Sequence, residues 1–245
     1  MDVNSYFFRV QHKRADLSFY AHAHAEFEII AVTDGCLTVC VNQTKIFVES
    51  GNALFLPSYY IHSFETQKHS LCHIWEFSSR LVFEKLPSEV VMFPIPEDTS
   101  EFFYHTESSD GVIACKATVY RILSMMDKEI IKRYSLQMDD IISGAIRFIT
   151  ENFSDPITLQ DVSNHLNVNY SYLSRMFKKY QGMSFTECLN ATRLSRAVAL
   201  LEETNMTVTD IALSCGFGST RNFNRIFASK MRCSPRDFRK DRSFL

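Results

Sequence analysis

Thr158-Leu159-Gln160-Asp161-Val162-Ser163, followed nine residues after Ser163 by Tyr172-Leu173-Ser174-Arg175-Met176-Phe177, returns 49 residues later as Thr207-Val208-Thr209-Asp210-Ile211-Ala212, with Asn222-Phe223-Asn224-Arg225-Ile226-Phe227 behind it. Each copy reads as a helix, a tight turn and a second helix. A Thr with an Asp three residues on is a capping box, which satisfies the first amides of a helix. Apolar residues follow at helical spacing, Leu159, Val162 and Leu166 in one copy and Val208, Ile211 and Leu213 in the other, so one stripe of a short helix is buried. Asn167 and Gly216 suit the positive φ of a helix C-terminus. Asn169 and Ser219 then stand as N-caps of the second helix, whose buried side is Leu173, Met176 and Phe177, or Phe223, Ile226 and Phe227.

What faces outward on the second helices is short, polar and basic: Ser171, Tyr172, Ser174, Arg175 and Lys178 in the first copy, and Thr220, Arg221, Asn222, Asn224 and Arg225 in the second. Such side chains match base edges and phosphates in a major groove, and these ten are the candidate DNA contacts. A helical bundle with ordinary solvated faces is the alternative that a single copy leaves open; the repetition with a shared Arg argues against it. Ser184 to Glu203 reads as one connecting helix. At about 1.5 Å per residue it spans roughly 30 Å, close to the ~34 Å between successive major-groove faces on one side of B-DNA.

The segment from 140 to 240 resembles the DNA-binding domain of the AraC/XylS family of bacterial transcription regulators. The resemblance is carried by Tyr172 to Phe177, by Arg193-Leu194-Ser195-Arg196-Ala197, and by Ile211-Ala212 through Cys215-Gly216-Phe217, Phe223, Arg225, Phe227, Pro235 and Arg239. It implies seven helices, two recognition helices in successive major grooves of promoter DNA, and action as an activator that contacts RNA polymerase. The family has Gly where this chain has Arg232, which puts a positive-φ turn in question or adds a phosphate contact.

Charge divides the chain in the same way. Residues 141–245 hold 14 Lys and Arg against 9 Asp and Glu, net +5, and residues 1–140 hold 12 against 19, net −7. A basic half supplies salt-dependent affinity for phosphates, and an acidic half does not compete for the same DNA. The chain is long enough for two cores, taken as 1–137 and 138–245. Phe7-Phe8 runs at once into Arg9, Gln11, His12, Lys13 and Arg14, so neither a signal segment nor a membrane span is expected, and the protein is read as cytoplasmic. Seven cysteines without a C-x2-C pair are read as reduced and mostly buried.

The first half shows short apolar runs: Phe27–Val32 ending at a hairpin signal, Asp34-Gly35, then Leu37–Val41, Lys45–Val48, Ala53–Leu56 before Pro57, and Ser70–Phe77. This spacing predicts a small β-barrel or jelly roll, with irregular cover over 86–107. His22, His24, Glu28 and Gly35, then Gly51, Pro57 and His62, resemble the two cupin motifs, with Tyr59 in place of a glycine and Glu65 in place of an Asn. Alternate residues on a strand point together, so His22, His24, Glu28 and His62 have the donor set of a first-row metal site. The preferred reading gives these four, with Tyr60 and Trp75, to a pocket for a small-molecule effector, without metal or other cofactor.

From 110 to 134 the stripe Ile113, Ala117, Tyr120, Leu123, Met126, Ile130 and Tyr134, after Ser108-Ser109-Asp110, predicts an amphipathic helix. In the resembled family it packs on its twin in a homodimer; packing on its own barrel is the alternative. The whole reads as a two-domain, effector-responsive transcription regulator and not an enzyme: a cupin-like β-barrel with helices, then an all-α double helix-turn-helix. A metal-dependent cupin enzyme fused to a DNA-binding domain is the rival, and an effector-free architectural binder the third reading.

Overall fold

A computed structural model describes residues 8–96, 110–136 and 139–240. The chain divides into two compact units, residues 1–19 with 25–137, and residues 138–245 grouped with Tyr20–His24. Nine strands belong to one sheet: β1 Phe8–Ala15, β2 Phe19–His22, β3 Phe27–Val41, β4 Thr44–Glu49, β5 Asn52–Leu56, β6 His62–Glu65, β7 Ser70–Phe77, β8 Val90–Pro94 and β9 Lys132–Tyr134. The order is β1-β7-β3-β5-β8-β9, with β4 and β6 on β3 and β2 on β6.

The centre of this sheet-rich unit is β3, and it corrects the hairpin expected at Asp34-Gly35. Up to Val32 the strand pairs with β5 and β7, and beyond Cys36 it pairs with β4 and β6, so one long strand bends and changes partners. The bend is made by a register shift between Val32 and Asp34 and by Gly35 at φ +75°. A Cβ on Gly35 would overlap the His69 carbonyl, which accepts the Cys36 amide at 3.0 Å. His69 is itself held between Asp16 (3.1 Å) and Asp34 (2.9 Å), whose hydrogen bonds push its pKa up.

Period-two alternation assigns the side chains to two cores. Ile29, Phe55, Trp75 and Phe77 share one face and pack under the helix α1, Val112–Lys128, against Val119, Ile122, Leu123 and Met126. Ile30, Leu54 and Ile74 point the other way, into a core with Val39, Val41, Ile46 and Phe64 from the far half of the sheet. The buried stripe of α1 is therefore rotated from the expected one: Cys115, Val119 and Ile122 are covered, and Ile113 is 81% exposed. The helix stops at Lys128 with Glu129 in extended conformation, so Tyr134 lies in β9 opposite Val90. Ser108 and Ser109 lie outside the described residues. The stretch expected as irregular cover contains β8, paired with β5 and ending at Pro94, a strand-end position where Pro is tolerated.

Seven helices make the second unit: α2 Asp140–Asn152, α3 Leu159–His165, α4 Tyr170–Gln181, α5 Phe185–Glu203, α6 Val208–Ser214, α7 Thr220–Met231 and α8 Pro235–Lys240. The boundaries are set by caps, Asp139, Thr158, Asn169, Ser184, Thr207 and Ser219 each accepting an amide of the first turn. The reciprocal box is complete at Thr158/Asp161, where Asp161 accepts the Thr158 amide at 2.7 Å; at Thr207 the hydroxyl bonds Asp210 instead. None of the seven cysteines is in a disulfide, and burial pushes the thiols of Cys72 and Cys215 up to about 11 and that of Cys188 to about 12, which keeps them protonated and unreactive.

Two positions where the resemblances have Gly keep the glycine conformation with a large side chain: Tyr59 at φ +68° and Arg232 at φ +61°. Arg232 caps α7 as Gly182, at φ +66°, caps α4. Left-handed backbone costs an L-residue about 1–2 kcal/mol, and Gly loses part of that gain to chain entropy. Arg232→Gly is thus expected to raise stability by roughly 0.5–1 kcal/mol, read as a higher midpoint in a far-UV circular dichroism melt; a lower midpoint would show that the side chain outweighs the strain.

Candidate nucleic-acid interface

The turns between the paired helices close as anticipated, Asn167 at φ +54° and Gly216 at φ +76°. Leu173 and Phe177 in α4, and Phe223 and Phe227 in α7, are fully buried, with Met176 and Ile226 nearly so. Those contacts fix the rotation of each helix and decide which residues face solvent. Ser171, Tyr172, Ser174, Arg175 and Lys178 line the exposed side of α4, and Arg221, Asn224 and Arg225 that of α7, with Thr220 and Asn222 half-buried.

Asn222 has a second task that its position in the helix did not disclose. Its amide donates to the Phe217 carbonyl at 3.3 Å, and its oxygen accepts from Arg225 at 3.0 Å. It thereby ties the start of α7 to the preceding turn and holds the Arg225 guanidinium in place. Tyr170, 48% exposed at the first position of α4, was missed because an aromatic beside an N-cap reads as a staple to the core. Leu213, expected in the buried stripe of α6, is 55% exposed, and Ala212 takes the inner place.

Of the candidate effector residues, Glu28 and His62 lie in the sheet-rich unit, and the segment that carries His22 and His24 is grouped with residues 138–245. Nδ1 of His22 donates to the Tyr20 carbonyl and Nδ1 of His62 to that of Tyr60, both at 3.0 Å, which orients each ring. Nε2 of His62 meets Glu28 at 2.8 Å, both side chains being 2% exposed. A carboxylate buried this deeply persists only when it is hydrogen-bonded or paired. The donor set fits a first-row metal ion as well as the polar groups of an organic ligand. The Tyr60 hydroxyl donates to the Ser88 carbonyl at 3.1 Å. Trp75 pairs with Ile29 on the face under α1, whereas Glu28 is one residue out of phase and points to the opposite face.

Two capped helix pairs, each presenting an exposed polar and basic second helix, make a double helix-turn-helix arrangement. Residues 162–241 match the family model described as a helix-turn-helix domain. The regulatory protein PocR of Salmonella typhimurium is 32% identical over 102 residues, 42% of this chain and 34% of that protein. The melibiose operon regulatory protein of Escherichia coli is 31% identical over 99 residues, 40% and 33% of the two chains. These matches span about a third of each relative's length. The transcriptional activator RhaS of Shigella sonnei aligns over 247 residues at 24% identity, 91% of this chain and 88% of that one. Apo ToxT from Vibrio cholerae shares the fold, with a TM-score of 0.65 and 13% identity over 98% of both chains. The chain is thus similar to these regulators most strongly over its second unit, and to RhaS at lower identity over most of its length.

Proposed function

We propose that α4 and α7 read adjacent major-groove faces of one promoter site, and that a small molecule taken up by the first unit sets how tightly the second holds DNA. The single observation that carries this reading is the repeated exposure of Arg175 and Arg225 on two recognition helices joined by the 19-residue helix α5. Ser171, Tyr172, Ser174, Thr220, Arg221 and Asn224 add base and phosphate contacts, and Lys178 a phosphate contact. Residues 1–137 form the sensing unit, a cupin-like barrel, and 138–245 the all-α reading unit. The similarity to the transcriptional activator RhaS favours activation, and RNA polymerase is the partner such an activator would need. A solved ToxT of the same fold carries a bound unsaturated fatty acid, which favours a small-molecule effector here. His22, His24, Glu28 and His62 are the candidate effector residues, whose imidazoles and carboxylate select a polar ligand. Exposed Val112 and Ile113 at the start of α1 favour a homodimer. Among the described residues no helix is long and apolar enough to cross a membrane.

Capture of sheared genomic DNA by the purified chain tests the reading. A few promoter fragments are expected to be enriched, and affinity for them is expected to fall with salt at a log–log slope of about −0.9 per phosphate contacted. Equal retention of all fragments would contradict it. Metal analysis of the same preparation, with His24→Ala as control, distinguishes the ligand: one first-row ion per wild-type chain, lost in the variant, would make the ion the ligand of this site.

A further inference from the structure

The two reading units are repeats in sequence, but the connector holds them differently. The second pair, α6 and α7, packs directly on α5, as does α8. The first pair, α3 and α4, packs chiefly on α2, which in turn packs on α5, while Phe177 of α4 also meets Phe185 at the start of α5 edge-on. Besides that ring contact at the start of α5, the chain between α2 and α3 helps to set the position of the first pair against the middle of the connector.

Three elements meet there. From the middle of α5, Arg193 donates through Nε to the Phe153 carbonyl and through Nη2 to the Asp155 carbonyl, both at 2.7 Å. From the turn between α6 and α7, Gly216 abuts the same main chain: a Cβ on it would stand 2.7 Å from the Phe153 carbonyl oxygen and 2.6 Å from that of Ser154. Arg193 also lies close enough to buried Cys215 for its charge to act on that thiol. Its guanidinium is 9% exposed and burial lowers its pKa, so desolvation is offset by main-chain carbonyls. Two charge-assisted bonds from one planar group to carbonyls two residues apart fix orientation as well as distance. The repeat itself points the same way. At the position matching Gly216 the first copy has Asn167, in the same left-handed region, so the turn alone does not demand Gly; the contact with Phe153 and Ser154 does.

We propose that Arg193, seated beside Gly216, is a positioning residue that locks the relative orientation of the two recognition helices, and thereby determines the spacing between the two DNA elements that one chain accepts. This rests on the reading of DNA by both helices. Arg193 touches no base, being buried in α5 away from the exposed sides of α4 and α7.

The test uses the full-length chain and a duplex selected by the wild type from random-sequence DNA. From it are made duplexes with one or two base pairs inserted or removed between the two elements, and one duplex with a single element. Two base pairs turn the elements by about 70° relative to one another. The wild type is expected to lose about tenfold or more in affinity when spacing changes by two base pairs. Arg193→Gln is expected to keep its affinity for the single element and to bind the selected spacing more weakly, with a spacing profile flattened to within about threefold. Arg193→Lys keeps the charge but not the two-point grip, so it shows the same flattening and decides the matter should the Gln variant not fold. A purely structural role would lower affinity by one factor at every spacing; a variant profile parallel to the wild type overturns the proposal and leaves the two-helix reading standing. A wild type that binds one element as tightly as two overturns both.

Discussion

Arg225→Ala lowers affinity for the selected operator by roughly 5- to 150-fold and relaxes the preference at one base pair, because a bidentate Arg to guanine contact is worth about 1–3 kcal/mol. The size of the effect follows from preorganisation. Asn222 holds the guanidinium at 3.0 Å and is itself anchored to the Phe217 carbonyl, so little side-chain freedom remains to be lost on binding. Asn222→Ala is expected to move affinity in the same direction by a smaller factor while keeping the base preference. Arg175→Ala acts at the other element, and its altered position should lie about one helical turn away. Titration of each variant against the selected duplex and its single-base derivatives measures both quantities. Equal weakening on every sequence would reassign that Arg to a phosphate.

Gly35→Ala is expected to destabilise the sheet-rich unit by roughly 3 kcal/mol or more, since backbone strain at positive φ adds to overpacking against main chain that cannot yield. The Cβ would overlap the His69 carbonyl and approach Ser70 Cα at 3.2 Å, at φ +75°. His69 is pinned between two carboxylates, and the same carbonyl accepts the Cys36 amide, so relief on either side breaks another contact. Trp75, the one tryptophan of the chain and fully buried in this unit, reports the transition by fluorescence. For a chain of this size each kcal/mol is worth about 2–4 °C of midpoint. A melt that superimposes on the wild type would remove Gly35 as the hinge of β3.

The helical half was legible because its signals are local. Thr158, Asn169, Ser184, Thr207 and Ser219 cap helices within a turn of their own positions, and Phe177 and Phe227 fix which side is buried. Leu213 was misassigned because a seven-residue helix offers too few apolar positions to define a face, and Ala212 serves as well. In the sheet-rich half the decisive contacts are distant in sequence. Asp34-Gly35 is locally a turn, and only the pairing of β3 with β5 and β7 before it, and with β4 and β6 after it, makes it a bend. His22, His24, Glu28 and His62 were found from alternation and motif spacing, whereas Trp75 was grouped with them on residue type although it is out of phase with Glu28. Arg193 entered only as part of the family resemblance, and its burial was not foreseen because an Arg within a helix ordinarily faces water. Its partners are carbonyls 40 and 38 residues away.

The account stands most directly on hydroxyl-radical footprinting of the full-length chain on the selected duplex. It predicts two short protected patches on one face of the DNA, with centres about 10 base pairs apart, the patch of α4 fading with Arg175→Ala and that of α7 with Arg225→Ala. One patch alone, or uniform protection along the duplex, would contradict it.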